Sequence, residues 1–528
     1  MLLLASTQAR PETVRAFDAV CGRCHAEIYR RYVETRMANA SGPALDGVET
    51  GAFTHQASGV QYRVFVENGS ALLGYSREGD DTMRGRRRLE FFLGSGNHGR
   101  TYLYSMDGYW FETPIAWYSR KRGYDMRPSY LNDKEMPLNL PTTSGCLRCH
   151  ASGVRVEESG TRNHFAGAPF QHAGITCETC HGDAAAHAAS SGKAAVINPA
   201  KLDAERRDSV CIVCHLEGET TVPRRGRSLL DYRAGERAGD YASWFVLAGA
   251  GTTNRVVSQV EAFEVSRCKR ASGDRMSCIT CHDPHGGPSS GDRVAFYRSK
   301  CLACHTQARF ASGHYANQPD CTQCHMPKRS PEDIPHEQWT DHRILPQSSQ
   351  LTFQPAISGE ISLVPVPGIA QQPTERDIAI AYYDVVSHGD VSLVRRAREL
   401  AEAAIRADPD DGELLTASGV LAQMANDRGA ATEAYRRALG LNPDDYTAAM
   451  NLGVLLVRSG ELSRASELWR RAFARNADIT ELGMNLAAAR CLAGDRAGAE
   501  TVLRTVLSYS PDHRQGRLEL RTMACPPR

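Results

Sequence analysis

Fourteen of the seventeen cysteines in this chain fall into seven copies of one pentapeptide, Cys-x-x-Cys-His. The copies are Cys21–Cys24–His25, Cys146–Cys149–His150, Cys177–Cys180–His181, Cys211–Cys214–His215, Cys278–Cys281–His282, Cys301–Cys304–His305 and Cys321–Cys324–His325. Only Cys268, Cys491 and Cys525 stand outside the pattern. Any fold proposed for the chain has to give these seven sites a common purpose.

Two thiols three positions apart can each form a thioether to one porphyrin vinyl group, and the histidine that follows then reaches the iron as proximal ligand. The repeats therefore predict seven covalently attached haems c, with His25, His150, His181, His215, His282, His305 and His325 on the irons. A zinc site made from paired Cys-x-x-Cys motifs would not require a histidine after every second cysteine. A disulfide framework belongs to small secreted domains, whereas this chain has 528 residues. Six motifs lie between positions 146 and 325. The porphyrins themselves must then form much of the interior there, with short helices and loops as scaffold.

The 62 basic and 61 acidic residues leave a net charge of +1, which gives no electrostatic reason to expect nucleic acid as a partner. No run of eighteen apolar residues occurs, so no spanning membrane segment is predicted in this chain. The first residues, Met1 to Ala9, lack a basic start and are too short for a complete signal peptide. Residues 1–14 read as a signal-peptide remnant or a disordered start.

Between the first two motifs the pattern changes. Gln61–Val66 alternates, Asn68-Gly69 supplies a two-residue turn, and Ala71–Tyr75 continues. Thr101–Met106 likewise meets Asp107-Gly108 and resumes as Tyr109–Thr113. Asn-Gly and Asp-Gly between alternating runs are strong hairpin signals, so a small antiparallel β insert is predicted within 51–120. Residues 346–376 are polar and proline-bearing, which suits a linker or an extended strap along the haem domain. Beyond them a 34-residue period begins: Pro409, Pro443, Ala477 and Pro511 share one phase, Gly419, Gly453 and Ala487 a second, Ala431, Ala465 and Ala499 a third, and Tyr435, Trp469 and Leu503 a fourth. This resembles the tetratricopeptide repeat and is predicted to span 377–520, followed by a tail at 521–528. The expected fold class is mainly α: a loop-rich multihaem cytochrome c domain over 15–345 with its β insert, then an α-solenoid.

Residues 15–345 resemble the multihaem cytochrome c superfamily that includes pentahaem nitrite reductases and hydroxylamine oxidoreductase-like proteins. The segments that carry the resemblance are Cys21-Gly-Arg-Cys-His-Ala-Glu-Ile-Tyr29, Gly174-Ile-Thr-Cys-Glu-Thr-Cys-His-Gly182, Cys278-Ile-Thr-Cys-His-Asp-Pro-His285 and Cys321-Thr-Gln-Cys-His-Met-Pro327. The resemblance implies haem attachment outside the bacterial cytoplasm, hence a periplasmic or otherwise exported protein. It also implies either electron transfer or reduction of a small nitrogen or sulfur oxyanion at an open haem. No Cys-x-x-Cys-Lys variant, the mark of the nitrite reductase active haem, is present. Electron transfer is the preferred reading, with redox proteins as partners and the repeat domain as a docking element.

Nine histidines outside the motifs and the repeats are candidates for the sixth position on the irons: His55, His98, His164, His172, His187, His285, His314, His336 and His342. His285 lies three residues from His282, too close for both to bind opposite faces of one iron, so it is expected to serve a neighbouring haem. The same argument covers His187 beside His181. His314 sits between motifs six and seven, and His342 lies in a Trp339-Thr-Asp-His segment similar to ligand-bearing segments of the family. His98 and His172 complete the favoured set, ahead of His55, His164 and His336. Related N-terminal modules carry a tryptophan and, about twelve residues after the motif, a histidine ligand, where this chain has Tyr32 and Met37. Met37 is either a haem ligand, which would raise that haem's potential, or a core residue. Cys268 reads as a buried small side chain or a spare thiol, and Arg86–Arg88 and Arg224–Arg225 as solvated faces or partners of haem propionates.

Overall fold

The computed structural model describes residues 11–248, 258–305, 319–329, 339–345, 362–369 and 371–522. Four strands, β1 (Gly51–His55), β2 (Val60–Glu67), β3 (Ser70–Arg77) and β4 (Asp80–Leu89), form an antiparallel sheet in sequence order. The Asn68-Gly69 turn joins β2 to β3 with φ of 49° and 68°, the left-handed pair that a tight two-residue hairpin needs. Along β2 and β3 alternate side chains are buried, so Val60, Tyr62, Val64, Leu73 and Tyr75 meet one core.

A second sheet of seven strands follows. Its central strands are β5 (Phe91–Leu93) and β6 (Gly99–Met106), and β7 (Tyr109–Glu112) folds back on β6 through Asp107-Gly108. The expected small insert within 51–120 is thus a larger two-sheet body running from Ser41 to Met126, with Leu140–Pro141 added at its edge. The difference arises from strands of two to four residues, too short to show alternation and bounded by few turn signals. Two three-stranded sheets add to the β content. In one, Glu12–Thr13 pairs with Phe170–Ala173, which pairs with Ala151–Val154. In the other, Ala242–Ala248 lies between Thr220–Pro223 and Ser362–Pro365. Ser362–Pro365 belongs to the proline-bearing segment, which is therefore strapped to the preceding domain at this point.

The C-terminal part is helical. Helices α1 (Glu375–Ser387), α2 (Val394–Ala407), α3 (Gly412–Met424), α4 (Arg428–Leu441), α5 (Tyr446–Arg458), α6 (Leu462–Phe473), α7 (Thr480–Leu492), α8 (Arg496–Tyr509) and α9 (Arg514–Thr522) succeed one another through short turns. The small phase packs against the aromatic phase. A Cβ on Gly419 would stand 2.4 Å from the Tyr435 ring, and one on Gly453 2.2 Å from the Trp469 indole nitrogen. That indole is pinned by donating to the Met450 carbonyl at 3.0 Å, so it has little freedom to yield. Gly453→Ala is expected to destabilise the repeats by about 1–3 kcal/mol through overpacking, read as a lower denaturation midpoint in far-UV circular dichroism.

One edge of the helical stack is docked on the domain before it. The turns that join successive repeats carry Asp410, Asp444, Asp478 and Asp512 at 34-residue intervals. Asp478 and Asp512 are fully buried, with Arg162 2.6 Å from the first and Arg77 Nη1 2.6 Å from the second. Asp512 also accepts from the Met136 amide at 2.8 Å. The Asp410 carbonyl accepts from Arg225 at 3.0 Å, and Gly160 packs on Asp444. At the start of the stack Arg224 pairs with buried Asp377 at 2.9 Å. Arg224 and Arg225 thus hold the repeats, a role that a lone arginine pair does not reveal in sequence. Among the described residues no helix is long and apolar enough to cross a membrane.

Candidate haem-binding sites

Each motif begins on or beside a short helix, where a three-residue spacing sets both thiols on one face. Several of these helices are fixed by their first residue. Thr143 accepts from the Cys146 amide, Asp203 caps Ala204–His215, Ser277 and Thr280 form a reciprocal cap on Cys278–Cys281, and Asp320 caps Cys321–His325. The β body reaches motif two directly: Leu147 is buried in one core with Phe91, Leu103, Trp110, Phe165 and Phe170. Motif four is packed with Trp244 and Val366 through Ile212 and Val213.

Three motif histidines face a histidine from elsewhere in the chain. The ring centroids of His25 and His187 are 6.3 Å apart with planes 11° from parallel. Those of His181 and His285 are 5.9 Å apart at 14°, and those of His282 and His342 6.2 Å apart at 29°. An imidazole nitrogen bonds a first-row metal at about 2.0–2.1 Å and lies about 1.1 Å from its ring centre, so two rings on opposite faces of one iron have centroids about 6.2 Å apart. The three gaps, 5.9–6.3 Å, match that spacing.

The hydrogen bonds agree with that role. Nδ1 of His181 donates to the Ile197 carbonyl at 2.7 Å, Nδ1 of His187 to Ala194 at 2.8 Å, and Nδ1 of His342 to Thr340 at 2.8 Å. His325 is held in the same way by Leu345 at 2.5 Å. Fixing the proton on Nδ1 leaves Nε2 unprotonated, as a metal ligand must be, and orients the ring. Burial lowers the pKa of His150, His215, His282, His285 and His342, which keeps them neutral as ligation requires. Burial raises the Cys180 thiol to about 11. Cys149 is instead lowered to about 7, chiefly by a hydrogen bond with Cys214.

The remaining candidates lie elsewhere. His55 is buried with both ring nitrogens engaged, by Ser58 Oγ at 2.8 Å and the Leu131 carbonyl at 3.0 Å. His164 bridges the Asp107 carbonyl and Glu158. His98 is exposed in the loop before β6. His172 lies on Phe17 with its Nδ1 buried and unpartnered. Met37 packs with Val14, Tyr32, Val33 and Ala38 beside Cys177, so its surroundings are those of a core side chain. His314 and His336 fall outside the described residues. Cys268 is half-buried, and burial raises its thiol pKa. Arg86 pairs with Glu67 at 2.7 Å, and Arg87 lies over the Tyr75 ring. Asp18 carried no sequence signal, yet it is fully buried and accepts from the Cys177 amide at 3.0 Å.

Comparison with known proteins points the same way. A family described as "Doubled CXXCH motif" matches residues 271–310, and one described as "Cytochrome c554 and c-prime" matches 116–182. The protein named "Multiheme cytochrome MtrA" from Shewanella baltica is 23% identical over 176 residues, which are 31% of this chain and 53% of that protein. The chain joins a multihaem c-type cytochrome module to tetratricopeptide-like repeats. This cytochrome spans only about half the length of the curated relative it matches. Among solved structures, the tetratricopeptide protein YrrB is 19% identical, covering 27% of this chain and 75% of its own, with a TM-score of 0.25. PilF of Pseudomonas aeruginosa is 18% identical, covering 28% and 68%, with a TM-score of 0.26. The repeat architecture of the cytochrome rests instead on its own period and helix pairing.

Proposed function

We propose that this chain is an exported seven-haem cytochrome that moves single electrons through closely spaced haems c. The fourteen motif cysteines would attach the haems and the seven motif histidines would bind the irons. The observation that carries the reading is the set of three imidazole pairs with iron-sized gaps. In this reading His187 caps the iron of motif one, His285 that of motif three and His342 that of motif five. Bound haem supplies reversible one-electron chemistry at iron. The protein's own contribution is to hold two neutral imidazoles parallel, to fix their tautomers through the Ile197, Ala194 and Thr340 carbonyls, and to exclude exchangeable ligands. Rigid ligation of this kind suits transfer, because the site changes little between oxidation states. The repeat domain would present its free faces to a protein partner.

The test is spectroscopy of holoprotein from a haem-maturing, export-competent host. Its mass should exceed the polypeptide by about 4.3 kDa, seven haems of about 616 Da. The irons capped by paired histidines should be low-spin and unaltered by cyanide, nitrite or hydroxylamine. A dominant high-spin signal that shifts with nitrite and supports turnover would replace transfer with catalysis.

A further inference from the structure

The route between haems is set by which motifs touch, and several of the contacts depart from chain order. A thioether sulfur sits at the porphyrin rim, so motif sulfurs in contact bring two rims together. Cys21 and Cys177 belong with Asp18 to a cluster whose ligand atoms all lie within 4.8 Å of one another. Between motifs two and four, the Arg148 guanidinium donates to the Val213 carbonyl and the Cys214 sulfur lies 3.9 Å from the Arg148 carbonyl oxygen. The Cys149 and Cys214 thiols also lie close enough to interact, as do Cys211 with Cys278 and Cys301 with Cys321. The imidazole pairs add a second rule. His187 follows motif three but faces motif one, His285 follows motif five but faces motif three, and His342 follows motif seven but faces motif five.

We propose that the seven haems form a branched relay, with a spine through haems one, three, five and seven and with haem two reached through haem four. The proposal rests on the electron-transfer reading. Along the spine, haems one, three and five are each capped by a histidine from the segment after the next odd motif. Haem four joins the spine at haem five through Cys211 and Cys278, and haem six joins at haem seven through Cys301 and Cys321. Motif two does approach motif three, where Ser152 Oγ lies 2.9 Å from Thr179 Oγ1. That contact is between hydroxyls, whereas the sulfur contact of motif two is with motif four. In each step one ferrous iron becomes ferric as its neighbour becomes ferrous. A one-electron donor protein feeds one end of the spine and a one-electron acceptor drains the other.

Iron positions from anomalous diffraction of the holoprotein test the order directly. Iron two is expected to lie nearest iron four, and a nearest neighbour of iron one or iron three would overturn the proposal. A kinetic test uses the C211A/C214A variant, which lacks haem four and about 616 Da of mass. With reduced methyl viologen as the electron source, one of its six remaining haems should lag at least ten-fold behind the rest. Wiring in chain order would strand three of six, so a half-amplitude lag, or no lag, would overturn the branch. If the variant misfolds, the iron map alone decides. A ligand-responsive iron with turnover would end the transfer reading while leaving the iron order intact, so the two failures are told apart.

Discussion

Replacing His285 with alanine is expected to turn one iron in seven from low-spin to high-spin and to let that haem take cyanide or carbon monoxide. The His285 ring is 5.9 Å from His181 at 14°, a spacing that matches two imidazoles on one iron. Removing it leaves His181 as the sole protein ligand on its side, still oriented by the Ile197 carbonyl. Because the proposed attachment uses Cys177 and Cys180, the mass of the variant should be unchanged apart from the substitution itself. The electron paramagnetic resonance spectrum should gain a high-spin ferric signal integrating to about one haem per chain. His187→Ala and His342→Ala should do the same at motifs one and five. His55→Ala supplies the contrast. That residue is buried between Ser58 and Leu131, so its loss should cost about 1–3 kcal/mol of stability and leave the haem spectrum alone. Unchanged spectra in all three ligand variants would remove the basis for the paired-imidazole sites.

The largest effect on stability is expected from Asp512→Ala. The carboxylate is fully buried, bonded by Arg77 and by the Met136 amide, with Arg517 3.6 Å away. Losing it strands a partly buried guanidinium and an amide donor, a change that costs about 3–5 kcal/mol when one partner of a buried pair is removed. Urea denaturation followed by helix signal should show the drop, and limited proteolysis should cut sooner between the repeats and the β body. A double change, Arg77→Met with Asp512→Leu, should recover part of the loss, because an apolar pair needs no charge compensation. If Asp512→Ala matched the wild type, the docked edge would contribute little and the repeats would be free to swing.

Covalent chemistry and strict periods were legible in the sequence, and choices made in three dimensions were not. The motifs could be read because thioether attachment fixes residue types at fixed spacing. Gly419, Gly453, Tyr435 and Trp469 could be read because a repeated helix pair must solve one packing problem at one phase. Asn68-Gly69 and Asp107-Gly108 marked their hairpins because tight turns need positive φ. The full β body was hidden, since Phe91–Leu93 and Ile115–Tyr118 are too short to carry a pattern. Sequence argument separated His187 and His285 from their own motifs but could not name the ring each faces, because that depends on how distant segments cross. Arg77, Arg162 and Arg224 look in sequence like any surface arginine, and only burial of their aspartate partners gives them a role.

The docked edge constrains how such a chain can change. A free-standing solenoid grows or shrinks by whole copies, since each unit meets only its neighbours. Here Asp410, Asp478 and Asp512 meet Arg225, Arg162 and Arg77, which belong to a scaffold with no matching period. Inserting or deleting one unit ahead of Asp478 would change which helix pair meets Arg162 and Arg77. Copy number is therefore coupled to that scaffold, a constraint that an isolated solenoid escapes.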